Sequence, residues 1–310
     1  IHSANISGIG VIAGGPYRCS EGQNVWSSMD VTGLYVATSV CSNTNPMSFF
    51  QGPPDVEFSR EATNEAAQLG HIDDPGNLGN DRVWLLSGGN DDQVPTSVMT
   101  VVAEYYETFV TAANIVLEQI ADANHAMITE DFGNACDASE LPHINDCDFD
   151  AAGKIFTHMY GPLSPQAAIA ELTPVIAFDQ AAFFDPSDHS VSMNDVGHLY
   201  IPASCSEGAL CRLHVAFHGC EQYQERIGDA FFMHAGYNRW AESNNIVVLY
   251  PQTKAWNESS FPIYENPKGC WDWWSYSGDD YYRQSGKQVR AVAAMINGLL
   301  REEILETPPE

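Results

Sequence analysis

Apolar positions along the chain gather into short runs separated by helical stripes. Residues 6–15, ISGIGVIAGG, form an apolar run closed by a Gly-Gly-Pro turn, which predicts a buried strand. Residues 82–87, RVWLLS, predict a second strand, closed by GGNDD. A helix is predicted next: Pro95 suits its first turn, and Val98, Val101, Val102, Tyr105 and Phe109 recur at helical spacing. Residues 114–120, NIVLEQI, read as a third strand, and a short helix is predicted around 151–160.

Residues 184–195, FDPSDHSVSMND, are polar and rich in turn formers, and are expected to link two halves of the pattern. After them the alternation restarts: strand GHLYIP, strand RLHVAFHG, a helix through GYNRWAESN and strand NIVVLYPQ. The last helix carries Val289, Val292, Ala293, Ile296, Leu299 and Leu300 on its expected buried stripe. Strands alternating with helices point to an α/β protein with a mostly parallel sheet.

Charge narrows the partners. Thirteen basic residues against 41 acidic ones give a formal net charge of −28 in 310 residues. Such a field repels nucleic acid and anionic lipid surfaces, so neither is expected as a partner. The acids are scattered, as in HIDDPGN and SGDDYY, which suits a solvated surface of the kind found in salt-tolerant secreted proteins. No apolar run is long enough to span a membrane. Eight cysteines without a C-x-x-C pair argue against structural zinc and for disulfides formed in an oxidising compartment. Their pairing stays open at this point, with about 105 possible connectivities.

Three stretches could carry chemistry. In LLSGGNDDQVP, Asp91 and Asp92 lie just past a strand, where open α/β sheets collect catalytic groups, and a helix, a strand and a loop bearing His125 follow. Strand, Asp, helix, strand, His is the order in which α/β-hydrolases present two triad members. The competing interpretation makes Asp91 a helix cap and His125 a surface residue. In RLHVAFHGCEQ, an HG turn after a strand could aim the Cys220 N–H at an oxyanion. His214 and His218 would share a face of that strand, but with no third ligand a metal site is not expected. In NPKGCWDWWSYSGDDYY, Trp271 and Trp273 could line a substrate cleft or simply pack in the core; strand alternation would place them on one face. No G-x-S-x-G elbow occurs in the 310 residues, and Ser87 sits too close to Asp91 to serve as nucleophile.

Taken together, GVIAGGPYRC, LLSGGNDDQVP, NHAMITEDFGNAC, NDCDFDAAGKIFTHMYG, GHLYIPASC, LHVAFHGCEQ, GYNRWAESNNIVVLYPQ and NPKGCWDWW resemble the secreted polyhydroxybutyrate depolymerases, in order and over nearly the whole chain. That resemblance implies one circularly permuted α/β-hydrolase domain over residues 1–310, with one sheet, the permutation falling near 184–195. It implies a serine esterase for 3-hydroxybutyrate esters, with Asp91 and His125 as triad members and the Cys220 N–H in the oxyanion hole. Trp273 would help hold the ester carbonyl, and Trp271 remains a candidate for the same cleft from the aromatic density of its stretch. The resemblance also implies the pairs Cys19–Cys41, Cys136–Cys147, Cys205–Cys211 and Cys220–Cys270. The family's nucleophile elbow lies just upstream of the segment matching IHSANISGIGVIAGG, so the serine is expected before residue 1 and the chain as given is expected to be catalytically incomplete. The expected protein is a secreted or periplasmic monomer acting on a polyester or hydroxyalkanoate oligomer without cofactor or metal. The alternatives are an esterase or amidase for another polymer, and a polymer-binding relative lacking a nucleophile.

Overall fold

A computed structural model describes residues 1–21, 33–44, 52–256 and 266–301. The first sheet aligns β1 (Gly8–Ile12), β2 (Arg82–Gly88) and β3 (Ile115–Ile120), all parallel, with β2 in the middle. A small sheet of β4 (Met127–Thr129), β5 (Asn134–Ala135) and β6 (Ile144–Asp146) follows, with β6 central. The third contains β7 (Ile176–Asp179), β8 (Val196–Tyr200), β9 (Arg212–Val215) and β10 (Ile246–Tyr250) in the order β7-β8-β10-β9. There β10 runs parallel to β9, while β8 is antiparallel to both its neighbours. Helices of eight or more residues are α1 (Val56–Gln68), α2 (Thr96–Glu107), α3 (Ala151–Tyr160), α4 (Tyr237–Asn244) and α5 (Lys287–Leu300).

Strand β2 is an unbroken apolar run because both its faces are covered. Val83 and Leu85 pack with Val98, Met99 and Val102 of α2, whereas Trp84 and Leu86 enter the largest core. That core also holds Ile155 and Phe156 of α3 and Tyr200, Val248 and Tyr250 of the third sheet. Helix α3 therefore spans two sheets. Its Ile155 covers Gly10 of β1, where a Cβ would lie 3.0 Å from the Ile155 side chain. Its Phe156 ring sits 4.7 Å from the ring of His214 on β9. Asp150 caps α3 by accepting from the Gly153 N–H at 2.7 Å, and its other oxygen accepts from Trp240 of α4 at 2.7 Å.

The described strands form two large sheets, and among the described residues β1 and β9 are each hydrogen-bonded on one side, to β2 and β10. The segment 184–195 is packed as well as turn-rich: Val191, Ser192 and Met193 are buried, and Met193 bridges to Thr253. Asp185 and Asp188 fold it into turns by accepting from Ser187 and Ser190. The buried stripe of α5 is rotated to Gln288, Ala291, Val292, Met295 and Gly298, leaving Leu300 exposed. Periodicity missed this because the buried Gln288 is polar, satisfied by donating to Val191 O and Tyr276 Oη and accepting from the Asp272 N–H. Helix α1 was not expected, since its buried stripe is Ser59, Ala62, Thr63 and Ala66, too weakly apolar to register.

Candidate active site

The loops after β2 and β3 meet because two glycines let them. A Cβ on Gly88 would lie 2.5 Å from Ala123 O, and one on Gly89 2.3 Å from Ala121 O. Backbone bonds then lock the contact, from Gly89 N–H to Ile120 O at 2.8 Å and from Asn90 N–H to Ala123 O at 2.9 Å. This close approach brings Asp91 to His125, with Nδ1–H donating to Asp91 Oδ2 at 2.8 Å. The other carboxylate oxygen accepts from the Gln93 and Val94 N–H groups at 2.9 and 2.8 Å. Asp91 is thus buried and fixed by three donors, so it orders the start of the segment leading to α2 and also orients the histidine. The Asn124 side chain accepts from the His125 N–H at 2.8 Å, fixing the base of the imidazole. Among the described residues, His125 Nε2 has no hydrogen-bond partner, and the side chain is 30% exposed. Ser87 faces away, bonded to Thr96 Oγ1 at 2.9 Å.

The HGC turn lies beyond β9, which ends at Val215, so His214 and His218 do not share a strand face as expected. His214 packs among Phe156, Tyr160 and Tyr237, whereas His218 packs beside Phe231 and Trp271. Burial pushes both rings down to about 4, so both are neutral at ordinary pH. His218 Nδ1–H donates to Gly219 O at 2.7 Å and Nε2 accepts from the Thr253 N–H at 3.2 Å, which sets its tautomer. In a trans peptide the C=O and the following N–H point in opposite directions. Holding Gly219 C=O therefore aims the Cys220 N–H the other way, into exposed space, where it finds no acceptor among the described residues. Among the described residues no group of three His, Cys, Asp or Glu side chains is arranged to hold a metal.

All four disulfides implied by the resemblance are formed: Cys19–Cys41, Cys136–Cys147, Cys205–Cys211 and Cys220–Cys270. The last joins the HGC turn to the aromatic segment. That segment is not a strand, and its two tryptophans go to different neighbours. Trp271 Nε1–H donates to His218 O at 3.1 Å, with its ring edge-to-face against Phe217 at 5.0 Å. Trp273 packs against the Cys19–Cys41 pair and Val36, and its carbonyl accepts from Ser20 at 2.5 Å. The chain winds there around Asp272, whose carboxylate accepts from the N–H groups of Trp274, Tyr276 and Ser277 and from the Ser277 hydroxyl. Burial nevertheless holds its pKa above the usual carboxylate range.

Two residues near the site escaped the sequence reading. His143 has a left-handed backbone (φ 55°), and its pKa is lowered by burial and then by the nearby His125. Gln222, buried in the HGCEQ stretch, bonds to both the HGC turn and the His143 backbone. No spacing signal marks either one, because both act through backbone groups, which every residue type carries.

No protein-family model matches the chain. It is 38% identical over 306 residues to a poly(3-hydroxybutyrate) depolymerase of Delftia acidovorans, covering 98% of this chain and 56% of that protein. It is 31% identical to a polyhydroxybutyrate depolymerase of Talaromyces funiculosus, covering 94% of this chain and 81% of the relative. The chain thus spans little more than half the length of the bacterial relative. Its fold superposes on the crystal structure of the PHB depolymerase from Penicillium funiculosum with a TM-score of 0.79 at 29% identity, covering 94% of this chain and 86% of that one. A PHB depolymerase complexed with an R3HB trimer matches with the same TM-score and identity, over 98% of this chain and 88% of the other.

Proposed function

The chain belongs to the polyhydroxybutyrate depolymerase family, and on that premise we propose that it is a serine esterase cleaving 3-hydroxybutyrate ester bonds of short-chain polyhydroxyalkanoates. The observation that carries this reading is the 2.8 Å contact between a buried Asp91 carboxylate and His125, with Nε2 left free. In the proposed reaction, a serine hydroxyl attacks the ester carbonyl while His125 Nε2 takes its proton. Asp91 stabilises the imidazolium, and the Cys220 N–H donates to the oxyanion. The imidazolium then protonates the leaving alkoxide, and water repeats the steps to free the acid from the acyl-enzyme. No metal or organic cofactor enters these steps.

The serine would arrive on a strand seated between the open edges of β1 and β9, upstream of residue 1. Among the described residues each of those strands is paired on one side only, and α3 covers both. Such a strand would join the two large sheets into the one sheet of a single circularly permuted domain. A parallel strand left unpaired on one edge carries backbone groups that need partners, which supports the placement. Trp271 and Trp273 would border the crevice from different sides. The four disulfides support residence in an oxidising compartment, outside the cell or in the periplasm, and the enzyme would act there as a monomer.

The test uses protein expressed from the complete coding sequence. Asp91→Asn and His125→Ala are each expected to lower kcat on a soluble 3-hydroxybutyrate ester by roughly 10⁴-fold with the fold retained. Turnover near wild type in either variant would sink the assignment. Clearing of polymer granules, set against hydrolysis of other polyesters and polyamides, decides the substrate class.

A further inference from the structure

We infer that Gln222 is a positioning residue, a strut that fixes the oxyanion turn relative to the loop carrying the catalytic histidine. The inference deepens the esterase reading above and rests on it. The Gln222 side chain is 6% exposed, and both ends of its amide are used. Its Oε1 accepts from the Gly219 N–H at 2.7 Å, and its Nε2 donates to His143 O at 2.6 Å and more weakly to Pro142 O at 3.4 Å. Its own N–H donates to Gly219 O at 3.2 Å, the same carbonyl that His218 holds. At the far end, His143 O also accepts from the Met127 N–H at 2.8 Å, and Met127 lies two residues past His125.

One side-chain amide thus connects the His218–Gly219 peptide, directly before the Gly219–Cys220 peptide, to the backbone that leads out of His125. These segments are 79 residues apart in sequence at the His143 contact. The fit is close: a Cβ on Gly219 would lie 2.9 Å from Gln222 Oε1, so a side chain there would push the amide oxygen away from its place. Other ties reach the turn, but the Cys220–Cys270 disulfide, the Glu221 N–H bond to Lys268 O at 2.7 Å and the Trp271 bond to His218 O lead to the aromatic segment, and the Thr253 N–H bond to His218 leads to the segment after β10. Among the described residues, Gln222 makes the direct side-chain link from the turn to the histidine side. Transition-state stabilisation by an N–H donor depends on its placement to a fraction of an ångström, so loosening the strut acts on kcat.

The amide chemistry provides a discriminating variant. In Gln222→Glu, a protonated carboxyl group still accepts from Gly219 and donates to His143 O. Once ionised, it turns an acceptor toward that carbonyl and the strut fails. The titratable groups on the segments it joins are His125, His143, His218 and Glu221, the last paired with Lys268 at 2.9 Å and Arg226 at 3.3 Å. The experiment measures kcat and KM on a soluble 3-hydroxybutyrate ester across pH for protein expressed from the complete coding sequence. Gln222→Leu is expected to lower kcat by about tenfold to hundredfold, with KM within about twofold of wild type. The ratio of Gln222→Glu to wild-type activity is expected to be near one at the acid end and to fall with rising pH. Unchanged kcat in Gln222→Leu overturns the strut, as does a Gln222→Glu profile parallel to wild type. If Gln222→Leu fails to fold, the profile of Gln222→Glu decides alone. A wild-type protein without ester hydrolysis overturns the esterase reading itself, which separates that failure from failure of the strut.

Discussion

His218 should make the protein acid-sensitive in a way that one substitution removes. Its ring is 2% exposed, its Nδ1–H is spent on Gly219 O, and its Nε2 accepts from the Thr253 N–H. Protonating Nε2 would set two donors against each other inside the core. Burial accordingly pushes its pKa from 6.5 to about 4. The folded value lies below the unfolded one, so between the two the unfolded chain holds more protons. The stability contribution is therefore full above pH 6.5, is lost as pH falls, and levels off below about 4. At ~1.4 kcal/mol per pKa unit, the full loss is about 3 kcal/mol, with about 2 kcal/mol gone by roughly pH 5. His214, also lowered to about 4 by burial, adds a second loss of the same sign. The assay is urea unfolding from about pH 4.5 to about pH 6.5 on wild type and His218→Asn, whose amide can still donate to Gly219 O. The slope of unfolding free energy against pH should be smaller in the variant by ~1.4 kcal/mol per pH unit. An unchanged slope would refute the assignment of His218 as a neutral, doubly bonded turn residue.

Replacing both Cys220 and Cys270 by Ala opens a bridge between residues 50 apart and is expected to lower stability. The chain-entropy account puts the loss at about 4 kcal/mol, readable by denaturant unfolding, and a change under about 1 kcal/mol would contradict it. Because the Cys220 N–H survives the substitution, any drop in kcat reports the turn's position and not a missing donor. Asp272→Ala strips the acceptor from the N–H groups of Trp274, Tyr276 and Ser277, and should cost about 3 kcal/mol or more. A shift of the unfolding midpoint no larger than for a surface aspartate would show that the loop holds its shape without it.

What could be read from the chain follows the reach of each signal. β2 was legible because burial on both faces demands an unbroken apolar run, and RVWLLS supplies one. α2 was legible because Val98, Val102 and Tyr105 recur along one buried face. α1 was not, because helices can pack through Ser59, Ala62, Thr63 and Ala66, whose stripe carries little hydrophobic contrast. The expectation that Trp271 and Trp273 share one face failed for a related reason. Alternation describes strands, and this segment is wound around the Asp272 carboxylate instead.

The sequence alone determined the order of the parts: an apolar strand ending near Asp91, a later strand and loop bearing His125, and the HGC turn after both. It also carried the acidic surface, which is additive over residues and needs no fold. Only the tertiary structure decided whether those parts meet. Asp91 reaches His125 because Gly88 and Gly89 let two loops touch backbone to backbone. The Cys220 N–H is aimed because His218 and Gln222 hold the carbonyl behind it. Such contacts are made through backbone atoms that every residue carries, so no pattern of residue types marks them in advance.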